Sequence, residues 1–293
     1  LAERNRGRSS LMVVATATRR RADGGPSARS LLISVLGQWV GPNDTPVWTA
    51  TLVGALEALG IESRAARQAV NRTASDGWLE GESVGRYTRW RLTESGRRMI
   101  GSAVPRVQRS IVADRAWDGT FLLLTLIGAA PDREARERLA VGLDFEGFGT
   151  IGPGVWVAVG EGSREGADSV LMASGLHDQA LLFSATTVEG AETPAEVVAL
   201  AWDLETAAAA HEAFLDEFDE VEPTDDGEAF ALRTRMAHEW RHLLSVDPSL
   251  PPELLPSDWV GTRARKVFQR QFSAWASPAT SYYIRLSEEP VVS

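Results

Sequence analysis

Four stretches of this 293-residue chain have residue types and spacings that could do chemistry. His238-Glu239-Trp240-Arg241-His242 matches H-E-x-x-H. On a helix the two imidazoles share a face, and the glutamate could activate a zinc-bound water. The longer form of that motif needs a glycine and a third histidine further on, and Ser245 and Pro248 stand there instead. Gly147-x-Gly149-x-x-Gly152 spells a dinucleotide fingerprint, but that motif needs a strand before it and a helix after. Here the pattern predicts the reverse, so these glycines read as turn residues. Gly81-x-Ser83-x-Gly85 spells a nucleophile elbow, yet it sits within an expected hairpin, where Ser83 is an ordinary hairpin residue. The fourth stretch, Ser63 to Arg91, is the most coherent. Arg64, Arg67, Gln68, Asn71 and Arg72 fall on one side of an expected helix, with Ala66, Val70 and Thr73 on the other. Arginine forks to guanine, and glutamine or asparagine to adenine, so the outward set has the chemistry of a base reader. Beyond it, Arg86, Tyr87 and Arg89 lie in an alternating ribbon that turns at Gly85 and Arg86.

The elements that must carry these residues follow from periodicity. Ser27 is placed to cap a first helix, with Leu31, Leu32, Val35, Leu36 and Val40 as one buried stripe. Gly41 to Asp44 break it. Thr49 is the expected cap of a second helix, with Leu52, Val53, Leu56 and Leu59 inward, and Gly60 ends it. Two amphipathic helices, a tight turn and a polar third helix are helix-turn-helix order, and the ribbon reads as a wing. Thr93 then caps one helix running from about Glu94 to Asp114. From Trp117 the period changes to β-α-β-β-α-β, a ferredoxin-like order, in which the first strand ends without an acidic residue to hold a metal. After Thr193 and Pro194 the chain turns helical, with a second helix over about Ala229 to Leu244 and a last one over about Thr262 to Trp275. The fold class is therefore α+β. The expected domains are a basic disordered arm (1–26), a winged head (27–100), a linker helix (101–116), a ferredoxin-like domain (117–190) and a helical C-terminal domain (191–293).

Charge supports a divided molecule. The net charge is −10. Residues 1–100 hold 15 arginines against 9 acidic residues, whereas residues 101–293 hold 15 basic residues against 31 acidic ones. A basic head for phosphate and an acidic body fit that split better than a uniformly basic binder does. The absence of cysteine excludes disulfides, thiolate zinc sites and cysteine catalysis. No apolar run approaches the roughly 18 residues of a membrane span, so a cytoplasmic protein with no membrane partner is expected. The chain opens on Leu1, and Met12 is a candidate start. A signal peptide is the competing reading of L-M-V-V-A-T-A, set against the arginines that follow it.

Several segments together resemble the PaaX family of bacterial repressors, named for control of phenylacetic acid degradation. They are A-R-S-L-L-I-S-V-L-G, P-V-W-T-A-T-L-V-G-A-L-E-A-L-G-I, A-A-R-Q-A-V-N-R-T-A-S-D-G-W-L, V-G-R-Y-T-R-W-R-L-T-E-S-G-R-R and H-E-W-R-H-L-L-S-V-D-P-S-L-P-P-E-L-L-P-S-D-W. The similarity spans about residues 28 to 285. It implies a winged head, a ferredoxin-like middle, a helical C-terminal effector and dimerisation domain, and a homodimeric transcriptional repressor that is not an enzyme and needs no cofactor. Such a repressor sits on a palindromic double-stranded DNA operator and is released by an aryl-acyl-CoA such as phenylacetyl-CoA. The family's reader positions carry over as Ser63, Arg64, Arg67, Gln68, Asn71 and Arg72, with Arg86 and Arg89 on the wing. His242 departs from the basic or aromatic residue expected there. A CoA effector needs arginines for phosphate and an apolar slot for the acyl group, for which Arg235, Trp240, Arg241 and Trp259 are the candidates. The alternative is a zinc-dependent hydrolase built on His238, Glu239 and His242.

Overall fold

The computed structural model describes residues 25–101, 104–111, 116–128, 130–190 and 192–288. Residues 1–24 of the expected basic arm lie outside them. The chain divides into two compact units. One comprises Arg106–Ala213 with Leu243–Arg263. The other comprises the described residues up to Pro105 together with Phe214–His242 and the residues from Ala264 on.

The unit containing the head starts with α1 (Ala28–Val35), whose N-terminus is closed by Ser27 Oγ accepting from Ser30 N at 3.1 Å. Leu36–Val40 widen into a π turn and Gly41–Asn43 tighten into a 3-10 turn. β1 (Val47–Trp48) leads directly into α2 (Thr49–Ala58). Trp48, not Thr49, occupies the cap position. Thr49 stands one residue inside, where its hydroxyl donates to Thr88 O at 3.2 Å and accepts from Trp90 Nε1 at 2.8 Å. Helix α2 ends in a Schellman closure: Gly60 N donates to Glu57 O and Ile61 N to Leu56 O. Gly60 takes φ 77°, a left-handed conformation that only glycine adopts without strain. Leu52, Val53 and Leu56 are buried as expected, while Leu59 is only partly so.

α3 (Ser63–Ser75) follows, then β2 (Leu79–Val84) and β3 (Tyr87–Leu92). The two strands pair antiparallel from Leu79↔Leu92 to Val84↔Tyr87, leaving Gly85 and Arg86 as a two-residue turn. With β1 they form a sheet of order β1-β3-β2. Thr93 Oγ1 accepts from Gly96 N at 3.0 Å and opens α4 (Glu94–Gly101). Within the helix expected from Glu94 to Asp114, the described residues hold α4 and α5 (Val104–Ile111).

In the other unit, the order is β4 (Phe121–Leu126), α6 (Arg133–Phe145), β5 (Gly149–Gly152), β6 (Val155–Val159), α7 (Arg164–Ser174) and β7 (Ala180–Ala185). The strands form one antiparallel sheet, β5-β6-β4-β7. Leu122 and Leu124 pack with Leu139, Leu143 and Leu171 on one face, while Phe121 packs with Val157, Val198, Leu250 and Leu254 on the other. Burial on both faces is why β4 reads as an unbroken apolar run rather than an alternation.

The capping box at Thr193 and Glu196, with Pro194 in the first turn, starts α8 (Pro194–Ala201). Helix α9 (Leu204–Phe218) was not separated from it by pattern. Asp203 interrupts the run, accepting from Thr206 N at 2.9 Å and restarting the helix. α10 (Asp226–Leu243) begins three residues earlier than the expected Ala229, because Asp225 and Glu228 close its first turn. α11 (Val260–Ala274) is followed immediately by α12 (Ala276–Ser287), a helix the pattern left out. Within the unit that holds the head, α12 lies against α2: Thr51 Oγ1 donates to Leu286 O at 2.8 Å.

Candidate nucleic-acid interface

Helix α3 sorts its residues cleanly. Ala66, Ala69, Val70 and Thr73 are buried. Ser63, Arg64, Arg67, Gln68, Asn71 and Arg72 are all exposed. The helix is held from behind by α1 and α2 and closed by a second Schellman turn, in which Gly77 N and Trp78 N donate to Ala74 O and Thr73 O. Arg29 of α1 pairs with Asp76 at that end and lies 5.4 Å over the Trp78 ring. Arg64, Arg67 and Arg72 have no carboxylate partner among the described residues. Their hydrogen-bonding forks therefore face solvent unspent, and an exposed arginine without an ion pair keeps its full donor set for a ligand.

The ribbon divides its cations differently. Arg86 is exposed at the turn and stacks 5.1 Å from the Tyr87 ring. Arg89 is not free: its Nη2 sits 2.9 Å from Glu82 Oε2, and its guanidinium lies 5.6 Å over Trp48. Trp48 in turn meets Tyr87 edge-on at 6.3 Å. The Glu82–Arg89 register was implicit in the hairpin, since a two-residue turn at Gly85-Arg86 puts them opposite each other. Sequence reasoning named the arginine and missed the acid. Arg91, also outside the named set, is exposed opposite Glu80.

The four effector candidates do not form one cluster. Trp240 is 2% exposed and packs against Phe268 at 4.6 Å and Phe214 at 5.2 Å, so its ring is core. Arg235 is exposed and pairs with Glu217. It lines an open cleft of about 1020 Å³ with Asp225, Asp226, Glu228, Tyr282 and Arg285, a charged surface unlike an apolar acyl slot. Arg241 Nη2 donates to Ser34 Oγ at 2.6 Å, and burial pushes its guanidinium down to about 10. Trp259 belongs to the other unit, edge-on to His211 at 5.8 Å.

There the D-P-S-L-P-P-E-L-L-P segment has a structural task. Asp247 Oδ2 bonds His211 Nε2 at 3.0 Å, its Oδ1 accepts from Ser249 N at 2.7 Å, and Leu250 and Leu254 cover the sheet. Burial raises the Asp247 carboxyl, but the bonds from His211 and Ser249 and the charge of Arg106 outweigh it and hold it below the ordinary range. Arg106 is itself buried and donates to Leu244 O and Asp247 O.

The H-E-x-x-H residues lie on α10 as expected, but His238 is 2% exposed and its Nδ1 lies 2.9 Å from Ser34 Oγ. Among the described residues no group of three histidine or acidic side chains is placed to hold a metal ion. The glycines of the dinucleotide-like motif lie in a turn and strand: Gly147 has φ 88° and Gly149 and Gly152 bound β5. Gly81 and Ser83 lie within β2. No helix among the described residues is long and apolar enough to cross a membrane.

Helices, two small antiparallel sheets and one exposed arginine-bearing helical face define a mixed α+β protein. Three family models match the chain in succession: PaaX-like protein over residues 27–96, the PaaX protein central Cas2-like domain over 114–198, and the PaaX-like protein C-terminal domain over 202–285. The chain belongs to the PaaX family. It is 27% identical over 279 residues to the transcriptional repressor PaaX of Escherichia coli strain K12, covering 90% of this chain and 85% of that one. Among solved structures it is similar to the uncharacterized protein Rv0674 from Mycobacterium tuberculosis, with a TM-score of 0.55 and 26% identity over 87% of this chain and 98% of that one.

Proposed function

We propose that this protein is a DNA-binding transcriptional repressor whose head is a winged helix-turn-helix and whose central domain is ferredoxin-like. The observation that carries the reading is the face of α3: six hydrogen-bonding side chains exposed together, three of them arginines with no ion pair among the described residues. Such a face supplies both phosphate attraction and base-edge donors. On this reading Arg64, Arg67, Gln68, Asn71 and Arg72 enter the major groove, and Ser63 meets the backbone. Arg86 contacts phosphate from the turn, with Tyr87 backing it. Arg89 acts by shaping the ribbon through Trp48 and Glu82 more than by direct charge.

A palindromic operator calls for two copies with heads about one helical turn, roughly 34 Å, apart. An aryl-acyl-CoA such as phenylacetyl-CoA releases the repressor by favouring an arrangement of heads that no longer fits. Of the effector candidates, Arg241 keeps chemistry suited to an anion, since Glu217 already takes Arg235.

The test is fluorescence anisotropy on labelled DNA from upstream of the protein's own gene, with and without a panel of acyl-CoA thioesters. Saturable binding at moderate salt that outlasts scrambled competitor supports the reading, and binding no tighter to upstream DNA than to scrambled DNA refutes it.

A further inference from the structure

Arg241 carries a charge that the surrounding protein leaves uncompensated. It is partly buried, and its Nε has no accessible surface and no hydrogen-bond partner among the described residues. No carboxylate lies within ion-pair distance of it among those residues. Its contacts are the Ser34 hydroxyl at 2.6 Å and His238 Nδ1 at 3.5 Å. The single Ser34 proton has two takers, His238 Nδ1 at 2.9 Å and Ser30 O at 3.2 Å, so the serine can give Arg241 only a neutral acceptor.

A guanidinium withdrawn from water without an anion is costly, and an apolar residue of similar volume would serve packing at least as well. The neighbouring arginines show the contrast. Arg235 has Glu217, Arg285 has Asp226 and Arg270 has Asp219. Arg233, also without a carboxylate, is spread over the Phe272 ring at 3.7 Å and donates to Phe272 O. Arg241 has neither remedy.

We propose that Arg241, with Ser34 and His238, forms a binding site for the oxyanion group, carboxylate or phosphate, of a small molecule. The anion takes a bidentate bond from Nε and one Nη of Arg241, and the Ser34 hydroxyl turns to donate to it or to His238. The site adjoins the head's framework. Ser34 lies on α1, which packs on α3 and whose Arg29 pairs with Asp76 at the end of α3. Drawing Arg241 away from Ser34 therefore acts on the helix behind the polar face. This coupling step rests on the repressor reading; anion binding does not.

The experiment measures thermal stability of the full chain in chloride buffer of constant ionic strength, titrated with inorganic phosphate, acetate or coenzyme A. The variants are Arg241→Met and Ser34→Ala. Wild type should show a saturable rise in Tm with at least one oxyanion, and the responding probe separates a phosphate source from a carboxylate one. Arg241→Met should weaken that response at least tenfold while melting at or above wild type in chloride alone. Ser34→Ala should weaken the response by a smaller factor than Arg241→Met does. Chloride matching every oxyanion, an undiminished response in Arg241→Met, a larger loss of response in Ser34→Ala than in Arg241→Met, or a fall of several degrees in Arg241→Met without added anion would each overturn the proposal. Anisotropy on upstream DNA, run separately, reports on the repressor reading and is unaffected by these outcomes.

Discussion

Replacing Arg67 by alanine separates the proposed reader role of the α3 face from its part in the fold. Arg67 is exposed in mid-helix, has no ion pair among the described residues, and lies beside the buried Ala66 without replacing any core contact. Alanine is at least as good a helix former, so the change in folding stability should stay within about 0.5 kcal/mol. Any loss of DNA affinity is then a lost contact. If Arg67 forks to a guanine edge, its removal costs about 1–3 kcal/mol, or roughly 5- to 150-fold in Kd at 25 °C. The loss should be largest for the native operator and smaller for an operator altered at the contacted base pair, which already lacks the bond. A base-edge contact neutralises no phosphate, so the slope of log K against log salt should stay close to the wild-type value. The assay is anisotropy with wild-type and singly altered operators at three salt concentrations, with circular dichroism to verify the fold. Equal affinity of variant and wild type for the native operator removes Arg67 from the reader set. A loss equal on all sequences reassigns it to phosphate.

Three further outcomes follow from the same geometry. Arg86→Ala should weaken every DNA sequence alike and flatten the salt slope by about one unit, because a turn arginine stacked on Tyr87 reaches backbone; a loss confined to the operator contradicts that role. Trp240→Ala should destabilise the chain by about 3–5 kcal/mol in urea unfolding, since its ring fills the space between Phe214 and Phe268; a cost under about 1 kcal/mol would show the packing to be dispensable. Asp247 is held below its ordinary range in the folded state, so its stabilisation is complete at neutral pH and is lost as pH falls through that depressed value, below about 3.9. Asp247→Asn should therefore lower the urea midpoint at pH 7 and flatten the fall in midpoint between about pH 5 and pH 2; an unchanged acid limb would assign that limb to other carboxylates.

Local pattern carried much of the architecture because the relevant interactions are local. Ala66, Val70 and Thr73 marked the buried side of α3, which left its arginines outward. Ser27 and Thr193 announced helix starts because their hydroxyls bond backbone amides three residues on. The same pattern failed where an interruption was made by one residue's own hydrogen bonds. Asp203 restarts a helix inside an apolar, alanine-rich run. At Trp275, which separates α11 from α12, the signal was there in Pro278 of the first turn of α12, and the pattern did not use it. Thr49 was taken for a cap because threonine caps helices well, yet its hydroxyl is committed to Thr88 and Trp90, partners some forty residues away.

By itself, then, the order of residues determined the α+β class, the polar helix, the ribbon and the family, since each rests on spacing along the chain. Tertiary structure decided which charges are spoken for. Glu82 takes Arg89, Glu217 takes Arg235, and Trp240 is consumed by packing, whereas among the described residues Arg64, Arg67 and Arg72 stay unpaired and Arg241 meets only a hydroxyl and an imidazole. A side chain's type states what bonds it can make. Whether those bonds are already spent depends on neighbours brought close by folding, and for Arg241 that neighbour, Ser34, lies 207 positions away along the chain.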